Sequence, residues 1–191
     1  MMPKVYIEDQ VFEKKNYSLE ALPKGEYENC RFVNCSFANS DLSENIFLEC
    51  EFDQCDLSLA KLNYTALRDV VFKTCKMVGL GFQDCNQLLL SVQFNDCQLK
   101  LASFYKLKLK ATKFINCNLQ EVDFTETDLT GSTMDNCDLS RAVFEYTTIE
   151  KADLRSSFNY LINPEVNRIK KAKFSLLGVA GLLSQFDIEI E

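Results

Sequence analysis

CRFVN CSFAN SDLSE NIFLE CEFDQ CDLSL, residues 30–59, repeats one arrangement every five residues. A compact side chain comes first, then a polar one, then a large apolar one, then two positions that are mostly polar. Worked outward, the large residue recurs from Ile7 through Phe12, Tyr17, Leu22 and Tyr27, and onward through Leu57, Leu62, Leu67, Phe72 and Met77 to Phe82. After a slip of two residues it resumes at Leu89 and runs through Phe94, Leu99, Phe104, Leu109 and Phe114 to Leu154. The compact position, two residues earlier, holds Cys30, Cys35, Cys50, Cys55, Cys75, Ala102 and Cys117 among others.

A period of five fits neither a 3.6-residue helix nor simple strand alternation, so each unit must contain its own bend. One large and one small inward position per unit describe a narrow, filled tube whose other three positions face water. Four units per turn set residues twenty apart above one another. That folding clusters the aromatic residues by column, with Phe12, Phe32, Phe52, Phe72, Phe94 and Phe114, ending in Met134 and Leu154, in one, and Leu22, Leu42, Leu62, Phe82, Phe104, Phe124 and Phe144 in another. Stacking at the inter-strand spacing of ~4.8 Å favours such columns, and roughly seven coils at that rise make a rod ~34 Å long.

The units CysSerPheAlaAsn at 35–39 and AlaAspLeuArgSer at 152–156 resemble the pentapeptide-repeat family, over about residues 7–158. The resemblance implies an all-β fold, a right-handed quadrilateral parallel β-helix. The expected organisation is a β-helix over 1–158, with a two-residue insertion near 83–93. Residues 159–191 then supply a linker, a last repeat unit, a capping α-helix at about 175–186 that starts from an N-cap at Ser175, and a tail strand.

All nine cysteines occupy the compact inward register, Cys85 included. Cys35, Cys55, Cys75, Cys97, Cys117 and Cys137 form one ladder, whose parallel side chains cannot converge on a zinc ion or readily form disulfides. Packing is their expected role, with no metal and no cofactor. With no histidine, no Gly-rich phosphate loop and no nucleophile elbow, the chain is not expected to be an enzyme.

A net charge of −7 argues against direct binding to nucleic acid. The beginning of the chain lacks an apolar signal segment and no stretch is long enough to span a bilayer, so a cytoplasmic protein is expected. Acids crowd 121–153, where nine face only Arg141 and Lys151. The candidate interaction surface comprises Asp41, Glu44, Glu49, Asp69, Asp84, Asp123, Glu126, Asp128, Glu145 and Glu150. A lysine belt of Lys100, Lys106, Lys108, Lys110 and Lys113 interrupts it. Apolar residues at outward positions, Ile46, Leu48, Leu88 and Leu90 on one face and Leu59 and Leu101 at a corner, suggest a partner patch or burial under the insertion.

A long repeat rod with an apolar end resembles the quinolone-resistance group of this family, Qnr and MfpA. That resemblance implies a dimeric DNA mimic that binds DNA gyrase or topoisomerase IV. Leu176, Leu177, Val179, Leu182, Leu183 and Phe186 are the candidate dimer interface. The group's longer projecting loops are missing here, where the only insertion is two residues long. The alternative is a general protein-interaction scaffold that uses the Ile46, Leu48, Leu88 and Leu90 face.

Overall fold

The structure, a computed structural model, describes residues 5–186 together with 188 and 189. Its strands, in chain order, are β1 (Val5–Glu8), β2 (Val11–Glu13), β3 (Gly25–Glu28), β4 (Arg31–Val33), β5 (Ile46–Leu48), β6 (Glu51–Asp53), β7 (Ala66–Arg68), β8 (Val70–Lys73), β9 (Val92–Asn95), β10 (Lys113–Ile115) and β11 (Thr133–Asp135). One parallel sheet stacks β1, β3, β5 and β7; the other stacks β2, β4, β6, β8, β9, β10 and β11. Register keeps the twenty-residue step, Phe32 opposite Phe52 and Tyr27 opposite Phe47, and widens to twenty-two where Phe72 meets Phe94. Single bridges such as Ser36 with Asp56 and Asp56 with Lys76 continue the step between the strands. The chain is an all-β parallel solenoid with four units to a coil.

Faces one to four carry the inward residues Ile7, Phe12, Tyr17 and Leu22 and the residues stacked on each. Every bend is made the same way. The residue two after the large one adopts a left-handed backbone, as at Asn34 (φ 52°), Asn39 (58°), Glu44 (61°) and Glu49 (53°). Such a conformation costs a non-glycine residue about 1 kcal/mol, least for Asn and Asp. Gly79 and Gly131 fill two of these corners without strain.

The interior is filled as the columns imply. Phe32 and Phe52 stack with ring centroids 4.8 Å apart, Phe94 and Phe114 5.0 Å apart, and Phe82 and Phe104 4.7 Å apart. Neighbouring columns meet edge to face, Phe94 against Phe104 at 5.8 Å. The compact position closes the backbone. Thr65, Thr127 and Thr147 each donate a hydroxyl to a carbonyl oxygen on the preceding coil at 2.8 Å. The thiols of Cys35, Cys55 and Cys75 reach the equivalent carbonyls at 3.3 Å. The cysteine ladder is therefore a sulfur version of a hydroxyl cap, and its buried thiols are free of disulfides. Burial pushes the Cys50 and Cys85 thiols up to about 12.

The structure corrects two expectations. Leu89 does not point inward: it is 68% exposed with φ 60°, and Leu90 packs against the core in its place. The insertion lies between Asn86, still bridged to Ala66, and Val92, paired with Val70. The Asn86 side chain accepts the Leu88 N–H at 2.9 Å, which fixes a turn that carries Leu89 outward.

The capping α-helix at 175–186 is absent as well. Ser175 does accept the Gly178 N–H on its hydroxyl at 3.1 Å, but the chain then forms two short 3-10 turns, Val179–Leu182 and Ser184–Phe186. Gly178 and Gly181 lie against Tyr160 so closely that a Cβ on either would collide with it. The Gly181 carbonyl accepts from Ile162 at 2.9 Å instead of continuing a helix. The coil itself extends past residue 158, with bridges from Thr148 to Arg168 and Asp153 to Lys173. The expected tail strand at 187–191 lies outside the described residues apart from Ile188 and Glu189, which are not in a strand.

Candidate interaction surface

A filled tube offers chemistry only on its outside. Asp41, Asp123 and Glu145 lie on face four, and Glu44, Asp84 and Glu126 on the corner between faces four and one. Asp128 and Glu150 lie on face one, and Glu49 and Asp69 on the corner after it. The ten candidate acids thus share two adjoining faces and their edges.

Several of them also hold the coil. The carboxylate of Asp41 accepts the Ser43 N–H at 2.9 Å, Asp123 that of Thr125 at 2.9 Å and Asp128 that of Thr130 at 3.0 Å. Asp and Asn favour this position because a side-chain oxygen there caps a tight turn two residues on. Hydrogen bonds from Ser43, opposed by partial burial and aided by Lys24, hold the Asp41 carboxyl at about 2. Partial burial works against ionisation of Asp128, but Thr130 and Lys110 outweigh it and hold that carboxyl below its ordinary value.

Ion pairs divide the set further. Lys24 meets Asp41 at 3.2 Å, Lys106 meets Glu126 at 3.4 Å, Lys110 meets Asp128 at 3.3 Å and Arg168 meets Glu150 at 3.2 Å. The lysine belt thereby neutralises the next coil of the acidic segment, and Lys100 adds Glu121 at 3.5 Å. Glu44, Glu49, Asp69, Asp84, Asp123 and Glu145 have no cationic partner among the described residues. Sequence reasoning missed Glu26, Glu28, Tyr64 and Arg68, which border the same part of face one; their phase relative to Tyr27 and Leu67 was the available signal.

Of the candidate interface residues, Leu176 and Leu177 are 90% and 95% exposed. Leu182 packs against the core, and Leu183 is half-buried. Val143, Tyr146, Leu161 and Val166 add exposed apolar surface beside them, lining a groove of about 430 Å³. No helix among the described residues is long and apolar enough to cross a membrane.

A family model described as a pentapeptide repeat region matches residues 26–88 and 81–154. Among solved structures, full-length QnrB1, a plasmid-mediated fluoroquinolone resistance protein, is similar with 17% identity and a TM-score of 0.63; the match covers 95% of this chain and 99% of that one. A trypsin-treated variant of QnrB1 is similar with 17% identity and a TM-score of 0.57, over 97% and 99% of the two chains. At this identity the likeness is one of fold. No curated protein matches the chain.

Proposed function

We propose a function from one premise: this chain belongs to the pentapeptide-repeat family. On that scaffold it acts as a non-enzymatic binding protein, an acidic rod that stands in for duplex DNA on a type II topoisomerase, DNA gyrase or topoisomerase IV, and alters quinolone sensitivity. The fold shared with QnrB1 supports this reading. The observation that carries it is the pair of corner columns bordering face one. Glu44 and Asp84 on one, and Glu49 and Asp69 on the other, repeat carboxylates at multiples of the coil rise with no cation opposite them. Regular unpaired charge is what a DNA-binding saddle lined with lysine and arginine attracts. With a net charge of −7, the chain itself makes no contact with nucleic acid. It works in the cytoplasm as a homodimer joined through the 176–186 segment, a reading that the exposure of Leu176 and Leu177 supports.

Gyrase supercoiling assays, with and without a fluoroquinolone, test the reading. Glu44→Gln, Glu49→Gln, Asp69→Asn and Asp84→Asn together abolish the effect of the native chain, whereas Glu126→Gln with Asp128→Asn leaves most of it. No effect of the native chain at micromolar concentration refutes the topoisomerase assignment. Leu177→Asp yields monomers by light scattering, and an unchanged dimer overturns that interface.

A further inference from the structure

Between the corner acids, face one carries an apolar patch. Ile46 and Leu48 project from β5 and Ala66 lies on β7, with Leu88 at the edge of the insertion. Leu88 is 65% exposed, and Tyr64, at the corner beside Ala66, is 77% exposed. Ala66 is small enough to leave a shallow groove of about 460 Å³ walled by Ile46, Tyr64, Arg68 and Asn86. Glu26, Glu28, Glu44, Glu49, Asp69 and Asp84 surround it, and none has a cationic partner among the described residues. Arg68 sits inside this ring, half-buried and without an ion pair among the described residues.

An apolar centre inside a charged rim is the anatomy of a protein interface, and a guanidinium within it that has no ion pair offers donors to a carboxylate of a partner. We propose that this patch docks a short segment of a partner protein with apolar side chains along its middle, lysines or arginines on both flanks and one acceptor oxygen opposite Arg68. Three rungs of the coil span ~10 Å, close to two turns of a helix with its 5.4 Å pitch, so an amphipathic helix flanked by lysines fits. DNA mimicry needs no apolar contact and makes no use of Arg68. The patch shares carboxylates with the topoisomerase reading but does not depend on it.

The probe is a synthetic helical peptide with a leucine stripe, lysines on both flanks and one central glutamate, titrated by fluorescence anisotropy at physiological salt. The native chain binds it, and does not bind the counterpart in which glutamates replace the flanking lysines. Ile46→Thr with Leu88→Ser weakens binding at least about tenfold. Glu44→Gln with Asp69→Asn, changes outside the core that keep an oxygen able to accept the Ser91 hydroxyl at position 69, weakens it in a salt-dependent way. Asp128→Asn with Glu150→Gln changes nothing. Exchanging the central glutamate for glutamine weakens binding to the native chain but not to Arg68→Gln. Absence of binding, equal binding of the acidic counterpart, or indifference to the Ile46 and Leu88 substitutions overturns the proposal. Because the readout contains no topoisomerase, it can fail while supercoiling inhibition stands, and the reverse.

Discussion

Before the insertion, face one is strand: β5 and β7 present Ile46, Leu48 and Arg68, with Ala66 buried between them, flanked by rows of unpaired acids. After it, the same face is built of turns capped by Asp128, and Lys108, Lys110, Asp128, Glu150 and Arg168 face outward, with Lys110 and Arg168 closing ion pairs on Asp128 and Glu150. The interior does not register the change, because the phenylalanine column passes from Phe72 to Phe94 at 5.4 Å across the insertion. The difference teaches that the repeat constrains two positions in five. The other three, within the limits set by the left-handed corner and the turn cap, can specialise, and a two-residue insertion marks where their chemistry switches.

The deepest way to break this comparison is from inside. Phe94→Ala removes a fully buried ring held between Phe72 and Phe114, and costs about 3–5 kcal/mol in chemical denaturation, with loss of hydrogen-exchange protection on both sides of the insertion. A cost below about 1 kcal/mol would mean the columns do not couple the halves. The insertion itself gives the next contrast. Leu90→Ala costs about 1–2 kcal/mol, because Leu90 packs on the core, whereas Leu89→Gly stabilises by up to about 1 kcal/mol by relieving a left-handed leucine. The reverse order would restore Leu89 to the interior.

Acid distinguishes the turn-capping carboxylates. Asp41, bonded by Ser43, and Asp153, bonded by Arg155, both titrate at about 2 in the folded chain, below the ordinary value of 3.8. A depressed folded value means their contribution is complete above about pH 4 and is lost as pH falls through about 2. Thermal melts of Asp41→Asn with Asp153→Asn should therefore fall less steeply over that window than those of the native chain. The smallest effect is at the belt. Lys110→Gln, at an exposed pair, changes stability by less than about 1 kcal/mol, yet it leaves Asp128 unpaired and strengthens binding of a basic partner on the later half of the rod.

Much of the architecture was legible from residue types alone. The columns, the compact cysteines and the presence of a slip came from spacing, because stacking at fixed rise forces like residues into register. The phase within the slip was misleading, since Leu89, five residues before Phe94, keeps the period and Leu90, four before it, breaks it; the Asn86 turn overrides the spacing and carries Leu89 outward. The end of the chain misled for a different reason. Ser175 and the leucines after it read as a helix, and only the distant Tyr160, against which Gly178 and Gly181 lie, replaces it with 3-10 turns. On the surface, the AspLeuSer units at 41–43, 56–58 and 138–140 carried a visible turn signature, and reading their acids purely as charge overlooked it. Pairing of Lys106 and Lys110 with the next coil depends on register, so a charge count over 121–153 overstated that segment.

Carboxyl footprinting with a carbodiimide and mass spectrometry, on the free chain and on the chain mixed with gyrase, the proposed partner, tests the division of the surface most directly. Glu44, Glu49, Asp69 and Asp84 should label readily in the free chain and be protected in the complex, while Asp128 and Glu150 label alike in both. Protection confined to Glu126, Asp128 and Glu150, with the earlier corners still reactive, would contradict it.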